Sequence, residues 1–213
     1  MPAIIGVDES GKGDFFGPLV VAALLADDVE IPILTKLGAR DSKLVADKKL
    51  LSIDQELRSR YPHVVLVLPP EQYNSRYSKI KNLNRMLAEC HAEVIARLTR
   101  EHKADHAISD RFGKPELIEG ALARAGCTIG ITQVVRGESI PQVAAASMLA
   151  RAAFLREMEA LSEEYSITLP LGAGPVVDKA GREAVKRLGP QILNKIAKTH
   201  FKNYQRAITP SLF

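Results

Sequence analysis

Two adjacent carboxylates, Asp8 and Glu9, stand at the end of an apolar stretch near the start of the chain, and a Gly-Lys-Gly loop follows them. The apolar stretch, residues 3–7, predicts a β-strand. Carboxylates at the end of a strand can hold a divalent cation, and Gly11 and Gly13 let the backbone approach a phosphate or a sugar closely. A cation site beside such a loop is the arrangement that cleavage of a polynucleotide needs.

The same segment also approaches the phosphate-binding loop of nucleoside-triphosphatases. Residues 6–12 spell G-x-x-x-x-G-K, but Gly13 stands where that motif has a Ser or Thr. The hydroxyl group that would bind magnesium is therefore missing, and Asp8 and Glu9 would face the phosphates of the nucleotide. We infer that the carboxylates are the functional groups of this segment and that the glycines shape the loop beside them.

Two further acids fall at or just after the ends of predicted strands. Asp110 follows the apolar run 104–109, and Glu138 follows the run 128–135. Side chains at strand ends can converge at one edge of an open α/β sheet. Crowded acids repel one another unless cations neutralise them, and two Mg²⁺ or Mn²⁺ ions about 4 Å apart can clamp the oxygens of one phosphate. The predicted metal site consists of the four acids Asp8, Glu9, Asp110 and Glu138. Taken singly, Asp110 can also be a turn cap and Glu138 an exposed loop acid.

The elements that must position these acids predict an α/β domain with a mixed β-sheet flanked by helices. The pattern indicates strands at residues 3–7, 19–25, 64–68, 104–109 and 128–135, and helices at residues 47–60, 82–102, 116–125 and 141–165. The first two strands form a hairpin-like pair with the glycine loop at its tip. We expect a single domain over residues 1–213, with a basic helical C-terminal region at about 176–206.

The composition is typical of a globular protein that is not embedded in a membrane. Of its 213 residues, 46% are hydrophobic and 25% charged, and it has neither a membrane-length apolar run nor a signal-peptide pattern. Cys90 and Cys127 show no metal-binding or disulfide spacing. We therefore expect a cytoplasmic location.

The net charge of +4 is concentrated in two stretches. Between residues 179 and 206 the only acid is Glu183, and the basic residues are Lys179, Arg182, Lys186, Arg187, Lys195, Lys198, Lys202 and Arg206. A second basic stretch covers residues 76–82. Such stretches suit the backbone of a polyanion, although solvated helix faces are the alternative.

On these motifs the chain resembles ribonuclease HIII, a branch of the type 2 ribonucleases H. Residues 8–18 are similar to the family signature, with Gly-Lys-Gly where ribonuclease HII has Gly-Arg-Gly. Further matching segments are Asp41-Ser42-Lys43, Tyr73-Asn74, Asn82-Leu83-Asn84, Ser109-Asp110-Arg111-Phe112, Gly137-Glu138, 143–147, Ala150-Arg151 and Lys198-Thr199-His200-Phe201. Ribonucleases HIII usually carry an N-terminal substrate-binding domain, whereas this chain begins at the predicted catalytic strand. We therefore expect the basic segments Arg76–Arg85 and Lys179–Arg206 to bind the substrate. Glu138 stands where ribonuclease HII has Asp.

The resemblance implies a ribonuclease H-like fold and endonucleolytic cleavage of the RNA strand of RNA/DNA hybrids, leaving 5′-phosphate and 3′-hydroxyl ends. It implies two Mg²⁺ or Mn²⁺ ions, with Asp8 shared by both and Asp110 at one of them. Since the 2′-hydroxyl distinguishes RNA from DNA, the glycine loop is the expected sugar contact. The expected substrate-binding residues are Ser10, Gly11, Lys12, Gly13, Ser42, Lys43, Ser147 and Arg151. We expect a monomer that prefers continuous hybrid to isolated ribonucleotides.

Other interpretations stay open. A hybrid-binding module without chemistry and a metal-dependent nuclease of the same fold acting on DNA both fit part of the pattern. His200 can be a general acid, although packing against its neighbours is the more usual role for such a histidine. Tyr77 can stack on a sugar or base, or simply lie at the surface.

Overall fold

The structure, a computed structural model, describes residues 2–37 and 46–209. Two of the expected substrate-binding residues, Ser42 and Lys43, lie outside the described residues. The strands are β1 (Ala3–Ser10), β2 (Leu19–Asp27), β3 (His63–Leu68), β4 (His106–Asp110) and β5 (Ile131–Val134). The helices are α1 (Ile31–Lys36), α2 (Asp47–Arg60), α3 (Pro70–Ile80), α4 (Leu83–Glu101), α5 (Pro115–Arg124), α6 (Pro141–Tyr165), α7 (Pro175–Leu188), α8 (Ile192–Ile196) and α9 (Lys202–Ile208).

The strands form one mixed sheet in the order β3-β2-β1-β4-β5. β4 lies parallel to β1 on one side and to β5 on the other. The connection from β1 to β2, residues 11–18, is too short for a parallel crossover, which takes about a dozen residues or more, so β2 runs antiparallel to β1. The prediction of an α/β fold with a mixed sheet is confirmed.

The sequence pattern explains the elements nearest the acids. β2 is apolar and buried from Leu19 to Ala26, as expected of a strand covered on both faces. Asn82 caps α4 by accepting a hydrogen bond from the backbone N–H of Arg85 at 3.0 Å. α6 begins at Pro141, whose missing N–H costs nothing in the first turn of a helix.

One expectation about local structure was wrong, and one helix was not predicted. The strand predicted at residues 128–135 is limited to Ile131–Val134, and a 3₁₀ turn, Gly137–Ser139, follows it. The basic stretch 76–82 lies largely within α3, a helix that the apolar pattern did not indicate because α3 buries only Pro70 and Tyr73. In the described part of the chain, no helix is both long and apolar enough to cross a membrane.

The chain divides into two compact units. One consists of Met1–Glu9, Val20–Leu66 and Asn82–Ala153, and the other of Ser10–Leu19, Val67–Lys81 and Phe154–Phe213. The first unit holds the four predicted acids, with α4 packed against α5. The second holds the glycine loop and the basic C-terminal helices, where α7 packs against α8 and α9. That residues 1–213 act as one domain stays a prediction.

Candidate active site

Asp8 lies on β1 at a point where α6 comes very close to the strand. Gly6, on the same face of β1, leaves no room for a side chain, since a Cβ there would lie 2.1 Å from the carbonyl carbon of Gln142. Five residues along a helix and two along a strand each advance about 7 Å, so this approach brings Ser147 level with Asp8. The Ser147 hydroxyl group donates a hydrogen bond to the Asp8 carboxylate.

Asp110 is the last residue of β4 and lies beside Asp8. The register pairs Val7 with Ser109, so Asp8 and Asp110 follow at the same level of the sheet. The backbone N–H of Gly137 donates to Asp110 Oδ1 at 2.8 Å. A Cβ at Gly137 would lie 3.0 Å from the Asp110 Cα, so only glycine lets the 3₁₀ turn come this close without a shift.

The charge state of Asp8 reflects this crowding. Burial, then the negative charge of Glu9 and to a smaller extent that of Asp110, raise the pKa of Asp8 from 3.8 to about 7. Hydrogen bonds from the Ser147 hydroxyl and the Glu9 backbone N–H act in the opposite direction. An ionised carboxylate here is stabilised by a nearby positive charge, and a set of carboxylate oxygens suits Mg²⁺ or Mn²⁺. The chemistry of these carboxylate oxygens therefore suits the implied metal.

Glu9 leaves the strand on the opposite face from Asp8, because β1 continues in extended form to Ser10. Its Oε2 lies 3.0 Å from Nε2 of His91, a fully buried residue of α4. No motif in the sequence singled out His91. A histidine on the apolar face of an amphipathic helix has the same pattern as a core residue, and only the fold shows that it reaches Glu9.

Glu138 is exposed in the 3₁₀ turn, directly after Gly137. Among the described residues, no three His, Cys, Asp or Glu side chains form a group that could hold a metal ion. In the structure, Asp8 interacts with both Glu9 and Asp110. Glu138 is linked to this group through its neighbour Gly137, whose backbone N–H donates to Asp110.

The glycine loop, in the second unit, is a tight turn with one open position. Gly11 has φ +85°, and a Cβ there would lie 2.2 Å from the carbonyl oxygen of Pro18, so the turn itself requires this glycine. Gly13 is exposed, and a Cβ there would have no neighbour within 4 Å. Lys12 and Ser10 are half-buried. Open backbone that a ligand could approach therefore lies at Gly13 and not at Gly11.

Lys198 holds the chain that follows this loop. Its fully buried Nζ donates to the carbonyl oxygens of Asp14 at 2.9 Å, Phe16 at 3.3 Å and Gly17 at 2.7 Å. Burial lowers the pKa of Lys198 to about 7, and the Asp14 carboxylate opposes that shift. Three acceptors for three N–H donors also favour the ammonium form. Counting Lys198 among the surface cations of the C-terminal region was therefore wrong, whereas the other seven basic residues of that stretch are exposed.

The remaining predicted residues are placed as follows. Arg151 is half-buried one helical turn after Ser147, on the same face of α6. The rings of His200 and Tyr77 stack with their centroids 4.1 Å apart. Partial burial of the ring, then the charge of Lys198, lower the pKa of His200. The stacking favours the packing role of His200 over that of a general acid.

Comparisons with known proteins cover almost the whole chain. The family model described as Ribonuclease HII matches residues 5–204. Ribonuclease HIII of Chlamydia pneumoniae is 46% identical over 205 residues, which are 94% of this chain and 68% of that protein. The crystal structure of Bst-RNase HIII in complex with Mn²⁺ has a TM-score of 0.90 and 34% identity, covering 97% of this chain and 69% of that one. RNase HII from Archaeoglobus fulgidus, solved in complex with PCNA, has a TM-score of 0.79 and 29% identity, covering 98% of both chains.

Proposed function

Because the chain belongs to the ribonuclease HIII branch of the type 2 ribonuclease H family, we propose that it cuts the RNA strand of RNA/DNA hybrids and leaves 5′-phosphate and 3′-hydroxyl ends. It has the ribonuclease H-like fold and is a metal-dependent endoribonuclease. The observation in this chain that carries the proposal is the burial of the Asp8 carboxylate beside two other acids: burial, then the charge of Glu9 and that of Asp110, raise the pKa of Asp8. A protein that only bound the hybrid would gain nothing from clustered negative charge facing phosphates.

The proposed metal ligands are Asp8, Glu9, Asp110 and Glu138. Two bound Mg²⁺ or Mn²⁺ ions would supply a water nucleophile at neutral pH and stabilise the charge that develops on the leaving 3′ oxygen. The protein's own contribution is to orient the acids: the Ser147 hydroxyl holds the Asp8 carboxylate, and the Gly137 N–H holds that of Asp110. Glu138 is proposed on the strength of the resemblance, and its position supports the proposal because it directly follows Gly137, whose N–H donates to Asp110.

We assign the proposed substrate contacts by how exposed each residue is and by whether its polar group already has a partner. The exposed backbone at Gly13 supports a contact with the 2′-hydroxyl, with Ser10 and Lys12 beside it in sequence and Gly11 shaping the turn. Since the Ser147 hydroxyl already donates to Asp8, Arg151 is the stronger candidate of that pair for a phosphate contact. Ser42 and Lys43 remain proposed contacts on the strength of the resemblance. We further propose that the exposed cations of α7, α8 and α9 bind the hybrid backbone and that the protein acts as a cytoplasmic monomer.

A substrate panel tests this function. The protein is incubated with end-labelled RNA/DNA hybrid, double-stranded DNA and double-stranded RNA, each with Mg²⁺, Mn²⁺ or a chelator. We expect metal-dependent cutting of the RNA strand of the hybrid alone. Cutting of all-DNA duplex would establish the alternative nuclease, and binding of the hybrid without cleavage would establish the binding module.

A matched pair of variants assigns the chemistry to the acid cluster. Asp8→Asn should abolish cleavage while hybrid affinity persists, because the amide keeps the shape of the side chain but removes the charge that holds a cation. Asp28→Asn, at an exposed position in the turn after β2, should cleave at the parent rate. Turnover by Asp8→Asn at the parent rate would remove Asp8 from the site.

A further inference from the structure

The buried contact between α4 and the end of β1 extends the acid site by one residue. We propose that His91 is a positioning residue for Glu9: its Nε2–H donates to the Glu9 carboxylate and fixes the direction in which that carboxylate is offered to a metal ion. This inference rests on the proposed metal site. Carboxylates that ligate metals are generally held by hydrogen bonds from residues outside the ligand set, and losing such a partner costs about 10–100-fold in metal affinity or activity.

The geometry makes this hydrogen bond well defined. The His91 side chain is fully buried, and that of Glu9 is 10% exposed, so water competes little for the 3.0 Å contact between Nε2 and Oε2. A carboxylate oxygen is the acceptor, and Nε2 must therefore carry the proton. A glutamate has three rotatable side-chain bonds, and fixing one of its oxygens removes much of that freedom.

Stability alone does not explain a histidine at this position. Its Nδ1 is buried and has no hydrogen-bond partner among the residues that the structure describes. An unsatisfied buried polar atom is destabilising, and an apolar side chain of similar size would avoid that cost. The neighbours of His91 along α4, including Cys90 and Val94, are buried apolar residues. The hydrogen bond to Glu9 is the one feature of His91 that an apolar residue could not supply.

The imidazole ring also contacts the segment that follows β4, the strand that ends at Asp110. The centroids of the His91 and Phe112 rings are 4.7 Å apart, and the ring planes are tilted by 55°. Phe112 follows Asp110 by two residues. The buried His91 ring is thus hydrogen-bonded to Glu9 and packed against the segment that follows Asp110. Through these two contacts it links the positions of two acids.

Two amide substitutions of different reach test the proposal. In His91→Gln the side-chain amide extends to about the position of Nε2, whereas in His91→Asn it ends near Nδ1 and falls short of Glu9. Mn²⁺ binding is measured directly on the protein without substrate, from the electron paramagnetic resonance signal of free Mn²⁺. We expect the dissociation constant to rise about 10-fold or more in His91→Asn and to stay within about 3-fold of the parent in His91→Gln. Hybrid cleavage at limiting Mn²⁺ should follow the same order.

Controls separate positioning from folding. His102→Asn, just beyond the C-terminal end of α4, should bind Mn²⁺ as the parent does. Circular dichroism checks the fold, and if His91→Asn does not fold, His91→Leu takes its place with the same expectation. Parent-like Mn²⁺ affinity in the folded variant would overturn the proposal, and so would equal weakening in His91→Gln, which would point to ring packing. If the parent itself neither binds Mn²⁺ nor cleaves hybrid, the proposed function fails instead.

Discussion

Replacing Gly6 by alanine is expected to damage the acid site without touching any charged residue. The added Cβ would lie 2.1 Å from the carbonyl carbon of Gln142, 2.2 Å from its oxygen and 2.4 Å from the nitrogen of Val143. All three are backbone atoms, so no side chain can rotate away. The shortest distance is about 1.4 Å below the roughly 3.5 Å at which carbon atoms pack well, and α6 and β1 must separate by about that much.

The structure sets the size of both effects. Overpacking costs about 1–3 kcal/mol in the free energy of unfolding, and we expect the upper end because backbone meets backbone. Ser147 is carried on the displaced helix, so a shift of this size breaks its hydrogen bond to Asp8. Misplacing a catalytic group by about 1 Å can lower the rate about 100-fold, and we expect a loss of that order in hybrid cleavage.

Urea unfolding and cleavage of labelled hybrid at saturating Mn²⁺ measure the two effects. Gly13→Ala is the matched control for stability, because its Cβ meets nothing within 4 Å. It should unfold within about 0.5 kcal/mol of the parent, as surface substitutions usually do. If Gly6→Ala were as stable and as active as the parent, the close approach of α6 to β1 would not be what positions Ser147 at Asp8.

Three other perturbations have defined outcomes. Lys198→Met leaves three backbone carbonyl oxygens without their donor, so urea unfolding should show a loss of about 3 kcal/mol, whereas exposed Lys202→Met should change little. Asn74→Asp should cost about 2 kcal/mol in the same assay, because the amide that donates to the Ala197 carbonyl oxygen at 2.9 Å becomes an acceptor facing an acceptor. Lys12→Ala, if the loop contacts a phosphate, should reduce the slope of log affinity for hybrid against log salt by about 0.9, and an unchanged slope would remove that contact.

The sequence predicts the strands of the sheet well because an apolar run is a local signal. Apolar runs set the strands, and carboxylates at the ends of parallel neighbours such as β1 and β4 must lie close together. α3 was missed because most of its residues are polar and its stability comes from contacts far away in sequence. Asn74, for example, bonds to Ala197 and to the backbone N–H of Thr199, contacts that no local pattern contains.

Buried polar residues were the other failure of sequence reasoning. Lys198 is of a residue type that usually lies at the surface, and it stands in a stretch rich in other cations, yet it is fully buried. His91 has the spacing of a core residue, yet it bonds to a predicted metal ligand. In both cases the partner is distant along the chain, and in the case of Lys198 it is backbone, which carries no sequence signature at all.

The way in which the acids are held explains why small residues surround this site. Each of the three interacting acids has a donor from another element: Asp8 has Ser147, Asp110 has the Gly137 N–H, and Glu9 has His91. Two of those donors lie on elements that approach closely at a glycine: α6 meets β1 at Gly6, and the 3₁₀ turn meets Asp110 at Gly137. Carboxylates that repel one another need such fixed partners to stay in place. The glycines beside the acids are therefore part of the proposed metal site, because they let the elements that carry the hydrogen-bond donors come close to the acids.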